Sequence, residues 1–90
     1  MSPDGRRRHE PVFPGFREIA ARRRECVAGL VAERVALGLT QTDVAARMGT
    51  SQSAVARLES GEADVRVSTL ERYASALDSS LEWYLKKELP

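Results

Sequence analysis

Gly38, Gly49 and Gly61 divide the middle of this chain, and any fold it adopts has to accommodate those three breaks. Each follows a segment with helical apolar spacing, the place where a chain commonly turns left-handed to end a helix. After each of the first two comes a hydroxyl residue, Thr40 or Ser51, suited to cap the helix that follows. Asp43, three positions past Thr40, adds a carboxylate at the positive helix end. The spacing therefore predicts one short helix between Thr40 and Gly49 and another between Ser51 and Gly61. Val44, Ala45 and Met48 face inward in the first, and Ala54, Val55 and Leu58 in the second.

Upstream, Ile19, Cys26, Val27, Leu30, Val31 and Val35 recur at spacings of three and four, a helical pattern that Gly38 ends. Arg22, Arg23 and Arg24 interrupt the stripe, so this is either one long helix or two in series. Downstream, Ser68 with Glu71 reads as a capping box opening a further helix, whose buried stripe is Leu70, Tyr73, Ala74 and Leu77. The tail "SSLEWYLKKELP" is ambiguous. Leu81, Trp83 and Leu85 alternate as in a strand, whereas Leu81, Tyr84, Leu85 and Leu89 suit a helix. Residues 1–15, with three prolines, two glycines and no periodicity, read as a disordered or loosely docked basic arm. The expectation is a mainly all-α, compact bundle of four to five helices. Residues 16–78 form its domain, and residues 79–90 a tail that either dimerises or seals the core through Trp83.

The chemistry of catalysis is missing. His9 is the one histidine and lies in the arm, so no Ser-His or Cys-His nucleophile pair is expected. Cys26, the one cysteine, excludes an internal disulfide and falls on the apolar side of its helix, where it reads as a small hydrophobe. No glycine-rich phosphate loop and no paired carboxylates occur. Neither enzyme activity nor a metal or cofactor is expected. No apolar run is long enough for a membrane span or a secretory signal, which points to the cytoplasm.

The outward face of the segment "SQSAVARLESG" is the informative one. Gln52, Ser53, Ala56, Arg57 and Ser60 share it, without the Glu and Lys that usually solubilise an exposed helix. Gln makes bidentate contacts to adenine, Arg to guanine, and Ser serves base or phosphate. With the preceding helix, Gln41 to Ser60 is a helix–turn–helix unit (motif 41–60), the arrangement whose second helix enters the DNA major groove. An ordinary corner between two helices would need the same glycine and apolar positions, but it does not account for the polar face.

"GLTQTDVAARMGTSQSAVARLESG" resembles the helix–turn–helix core of the phage-repressor family, also called the Cro or xenobiotic-response-element family. The resemblance implies a lambda-repressor-like bundle that binds operator DNA, generally as a homodimer. It implies that Gln52, Ser53 and Arg57 address base edges and that Thr40, Gln41, Ser51 and Ser60 lie at the DNA backbone. Arg34 and Glu59 match the family's internal ion pair. The stretch "GEADVRVSTLERYASALDSSLEW" is also similar to HigA-like antitoxins, in which the tail forms a strand that pairs with its copy. That branch implies a toxin protein as partner, contacted by the N-terminal segment or the Trp83–Tyr84 tail. Asp78 stands where relatives often have glycine.

Charge is unevenly spread. Residues 1–38 carry eight Arg against five Asp or Glu, a net +3, and residues 39–90 carry six basic against eight acidic groups, a net −2. The motif itself is neutral, Arg47 and Arg57 against Asp43 and Glu59. Since phosphate neutralisation drives affinity for DNA, either the arm and the Arg22–Arg24 cluster supply the missing charge or affinity is modest.

Overall fold

In the computed structural model, which describes residues 16–85 and 87, four helices surround one core: α1 (Phe16–Ala36), α2 (Gln41–Met48), α3 (Gln52–Glu59) and α4 (Val67–Ala76). The arm, residues 1–15, lies outside the described residues. The described chain is all-α and holds no strand. None of its helices is long and apolar enough to cross a membrane.

The caps behave as their chemistry dictates. Thr40 Oγ1 accepts from Asp43 N at 3.0 Å, and Asp43 Oδ2 accepts from Thr40 N at 2.8 Å, a reciprocal box that opens α2. Those two bonds to Thr40, backbone first, hold the Asp43 carboxyl below its ordinary pKa. Gly49, at φ 72°, ends α2; its N–H reaches Ala46 O, and Thr50 N reaches Ala45 O. Ser51 Oγ then accepts from Ala54 N at 3.1 Å and starts α3, after which the chain turns at Gly61, φ 74°.

Val27 and Leu30 of α1, Val44 and Ala45 of α2, Val55 and Leu58 of α3, and Leu70, Tyr73, Ala74, Ala76 and Leu77 form the buried core. Cys26, Val31, Met48 and Leu81 pack against its edge. Arg47 Nη1 donates to Ala76 O at 2.7 Å, fastening the end of α2 to the end of α4. Just beyond, Asp78 takes a left-handed conformation, φ 58°.

Residues 16–36 are one continuous helix, the first of the two alternatives left open by the pattern. Four expectations are corrected, beginning with Ile19 and Val35 of the apolar series of α1, which are exposed. At 21 residues α1 extends about 31 Å, against about 12–15 Å for the others. Ile19 lies on the outer side of the first turns, where Ala20, Ala21 and Arg23 are half-buried, while Val35 sits well round the cylinder from Leu30. Ala54 is exposed at the edge of the α3 stripe, leaving Val55 and Leu58 as the inward pair. Helix α4 begins at Val67 with Arg66 at its cap position and no side-chain cap, so Ser68 lies inside the first turn and caps nothing.

The fourth correction concerns the tail. Residues 81–85 form neither helix nor strand. Trp83 does not seal the core: it is 54% exposed, with Nε1 donating to Glu71 Oε2 at 3.0 Å. Leu81 does the packing instead, and Tyr84 and Leu85 are 86% and 97% exposed.

Candidate nucleic-acid interface

Helices α2 and α3 bring their N-termini to one side of the molecule, and a hydrogen-bonded chain runs there from the interior to the surface. It starts at Arg34, near the C-terminal end of α1. Arg34 Nε donates to Glu59 Oε2 at 2.7 Å and Nη2 to Glu59 Oε1 at 3.0 Å, while Nη1 donates to Leu39 O at 2.8 Å. Both side chains are largely withdrawn from solvent, at 13% and 7% exposed. A bidentate pair of this kind fixes orientation as well as charge.

Glu59 is fully subscribed. Besides the two bonds from Arg34, Tyr73 Oη donates to its Oε2, and Gln41 Nε2 donates to its Oε1 at 2.9 Å. Burial pushes the Glu59 carboxyl up, but the hydrogen bonds from Arg34, Tyr73 and Gln41 outweigh it and leave the pKa below the ordinary glutamate value. Tyr73 moves the other way: burial and then the adjoining carboxylate raise its phenol well above the usual value. The Arg34 guanidinium, bonded to Glu59, is likewise raised.

Gln41 carries the chain outward. Its Oε1 accepts from Gln52 Nε2 at 2.6 Å, so the first residue of α2 holds the first residue of α3. A primary amide has two N–H groups and one carbonyl. Spending one N–H of Gln52 on Gln41 leaves the other N–H and Oε1 as an adjacent donor and acceptor, the pair that matches an adenine edge. Gln52, Ser53 and Arg57 are all exposed. Ser53 Oγ lies 3.2 Å from Ser51 Oγ, and Ser51, also exposed, is committed to its cap. Thr40 is exposed and locked in its box with Asp43, and Gln41 is half-buried. Ser60 is at the far end of α3, exposed, with its hydroxyl donating to Arg57 O at 2.7 Å.

Reading the sequence assigned Tyr73 to the core alone. The structure keeps it there, with no exposed surface, but gives its hydroxyl a place in the Glu59 network. Tyrosine where phenylalanine would pack as well was the available signal. The Gln41–Gln52 and Gln41–Glu59 bonds had no signal of that kind, because they depend on how α2 and α3 cross.

Fold and site together define a helix–turn–helix protein. Residues 30–84 match the helix-turn-helix family profile, and the chain belongs to that family. It is 42% identical over 77 residues to the protein named Antitoxin HigA1 from Mycobacterium tuberculosis, in strain CDC 1551/Oshkosh and in strain ATCC 25618/H37Rv. The match covers 86% of this chain and 52% of the relative, so the chain spans about half the length of these curated relatives. No solved structure matches it.

Proposed function

We propose that this chain is a cytoplasmic, sequence-specific DNA-binding regulator of the repressor type, working as a homodimer. Gln52, Ser53 and Arg57 read base edges in the major groove, and Thr40, Gln41, Ser51 and Ser60 set register on the backbone. Domain 16–78 does the binding and the tail from residue 79 joins the two copies. The observation that carries this reading is the Glu59–Gln41–Gln52 chain. It fixes a solvent-facing amide that has no packing role, which is a wasteful arrangement unless the amide meets a partner. Selection of bound sequences from random duplex DNA, followed by anisotropy titration at two salt concentrations, tests it. Recovery of a two-part site with salt-sensitive affinity supports the reading, and failure to enrich any sequence refutes it.

A second reading is favoured by the relatives' printed name and by the exposed run Trp83, Tyr84 and Leu85. Here the chain is an antitoxin that silences a partner toxin and regulates its own operon. Co-expression with the product of an adjoining small open reading frame tests it. Rescue of toxicity supports this reading, and rescue lost when Trp83 and Tyr84 are replaced by alanine would assign the contact to the tail.

A further inference from the structure

The family match starts at residue 30, but α1 starts fourteen residues earlier, at Phe16. Between residues 30 and 84 there are five Arg and no Lys against eight Asp or Glu, a net −3. A duplex carries one negative charge for every ~1.7 Å of its axis, and neutralising its phosphates supplies most of the affinity. The family segment is therefore repelled, on balance, by the ligand that its polar face fits. Residues 16–29 carry four Arg against two Glu, a net +2 in a single stretch of helix.

That stretch is aimed at one end of the proposed interface. Gly61, just beyond α3, is buried, and a Cβ built on it would lie 3.3 Å from Cγ of Arg24 and 3.8 Å from its Cβ. The Arg24 stem thus lies flat on the backbone that ends the recognition helix, while the residue as a whole stays exposed. Long basic side chains commonly bury the stem and leave the charged head in water. Ser60 keeps a helical backbone and Gly61 N still bonds Leu58 O at 3.2 Å, so Gly61 stands one turn past Arg57, about 6 Å along the same face. Gly61 is half a turn round the helix axis from Gln52, so Arg24 comes beside Arg57 at the C-terminal end of α3 and not in line with Gln52, and it is supplied by a different helix.

We propose that Arg24, laid against Gly61 by the N-terminal extension of α1, holds a DNA phosphate at the C-terminal end of α3 and supplies charge that the helix–turn–helix segment lacks. This rests on the DNA-binding reading above. The contact is to the phosphodiester backbone, so it strengthens binding to every duplex equally and carries no base preference.

The test is anisotropy titration of the full chain, with wild type, Arg24→Gln and Arg24→Lys, on a selected duplex and on a scrambled one, from about 50 to 200 mM salt. Arg24→Gln is expected to weaken both duplexes by the same factor and to reduce the salt slope by about 0.9 per protomer, about 1.8 for the homodimer, which makes the affinity lost over that fourfold salt range about 12-fold smaller. Arg24→Lys is expected to keep the wild-type slope. Arg24→Met, which retains the packed stem, serves in place of Arg24→Gln if circular dichroism shows that variant unfolded. An unchanged slope in a folded variant would overturn the proposal and leave Arg24 as a neutraliser of Glu62, which follows Gly61 and is exposed. A loss confined to the selected duplex would overturn it too. Wild type with no salt-sensitive DNA binding would instead defeat the DNA-binding reading itself.

Discussion

Gln52 does not stand free at the start of α3: its Nε2 donates to Gln41 Oε1 at 2.6 Å, and Gln41 in turn donates to the buried Glu59 carboxylate at 2.9 Å. The surface amide is thereby held by a charge on its own helix, through a residue on the preceding one. Holding a reader in its binding geometry before the ligand arrives removes part of the ordering cost of association.

The two glutamines should therefore be coupled. Gln52→Ala is expected to cost about 1–3 kcal/mol on the selected site and to relax preference at one base pair. Gln41→Ala should cost at least about 1 kcal/mol on the same site, from the lost hydrogen bonds to Gln52 and Glu59 and the backbone contact proposed for Gln41. A double-mutant cycle by anisotropy should give an interaction energy of about 0.5–3 kcal/mol. Strict additivity would mean that the 2.6 Å bond does not matter for recognition.

Removing the anchor should unsettle the fold as well. Glu59→Ala strands the Arg34 guanidinium, 13% exposed, and leaves Tyr73 Oη without its acceptor. Breaking a buried pair on one side commonly costs about 3–5 kcal/mol. Tyr73→Phe removes one donor and should cost only about 1 kcal/mol. Urea denaturation would measure both, and equal losses would show that Glu59 is not the hub of the network.

Acid should destabilise through the same group. The folded-state pKa of Glu59 lies below the ordinary glutamate value, so the carboxylate contributes stability that is complete above the ordinary range. That contribution is lost as pH falls through the depressed folded value. Asp43, also depressed by its bonds to Thr40, acts in the same direction. The urea midpoint should fall as pH drops below the ordinary carboxylate range, and Glu59→Gln should flatten the fall. A midpoint independent of pH down to that range and beyond would contradict the assignment.

The turn between α2 and α3 makes a conformational demand. Gly49 has φ 72°, and a Cβ there would meet nothing within 4 Å. Gly49→Ala should therefore cost about 1–2 kcal/mol from backbone strain alone. Thermal unfolding would register it, and a neutral result would mean that the turn relaxes without loss.

What could be read along the chain was whatever depends on near neighbours. The left-handed stops at Gly38 and Gly49 and the Thr40–Asp43 box were legible because each involves residues within four positions of one another. So were the apolar stripe of α4 and the inward faces of Val44, Val55 and Leu58. Periodicity says which face of α1 is apolar but not how far its partners extend, and Ile19 was misjudged for that reason. The Ser68 capping box satisfied a sequence pattern while the cap position of α4 fell two residues earlier, at Arg66. Trp83 was assigned to the core by its size, yet it hydrogen-bonds Glu71 at the surface. The exposed polar face of α3 was legible residue by residue. The bonds that steer it were not, since Gln41, Gln52, Glu59 and Tyr73 meet only after the helices cross.

The mismatch in length between α1 and its neighbours also sets how the helix breathes. Val27, Leu30 and Val31 are gripped by the core, while the turns around Ile19 are at most half-buried. Amide protons near Ile19 should exchange with solvent after local fraying, whereas those around Leu30 should wait for global opening. One helix would then show two protection regimes, with the boundary falling near the place where Arg24 rests on Gly61.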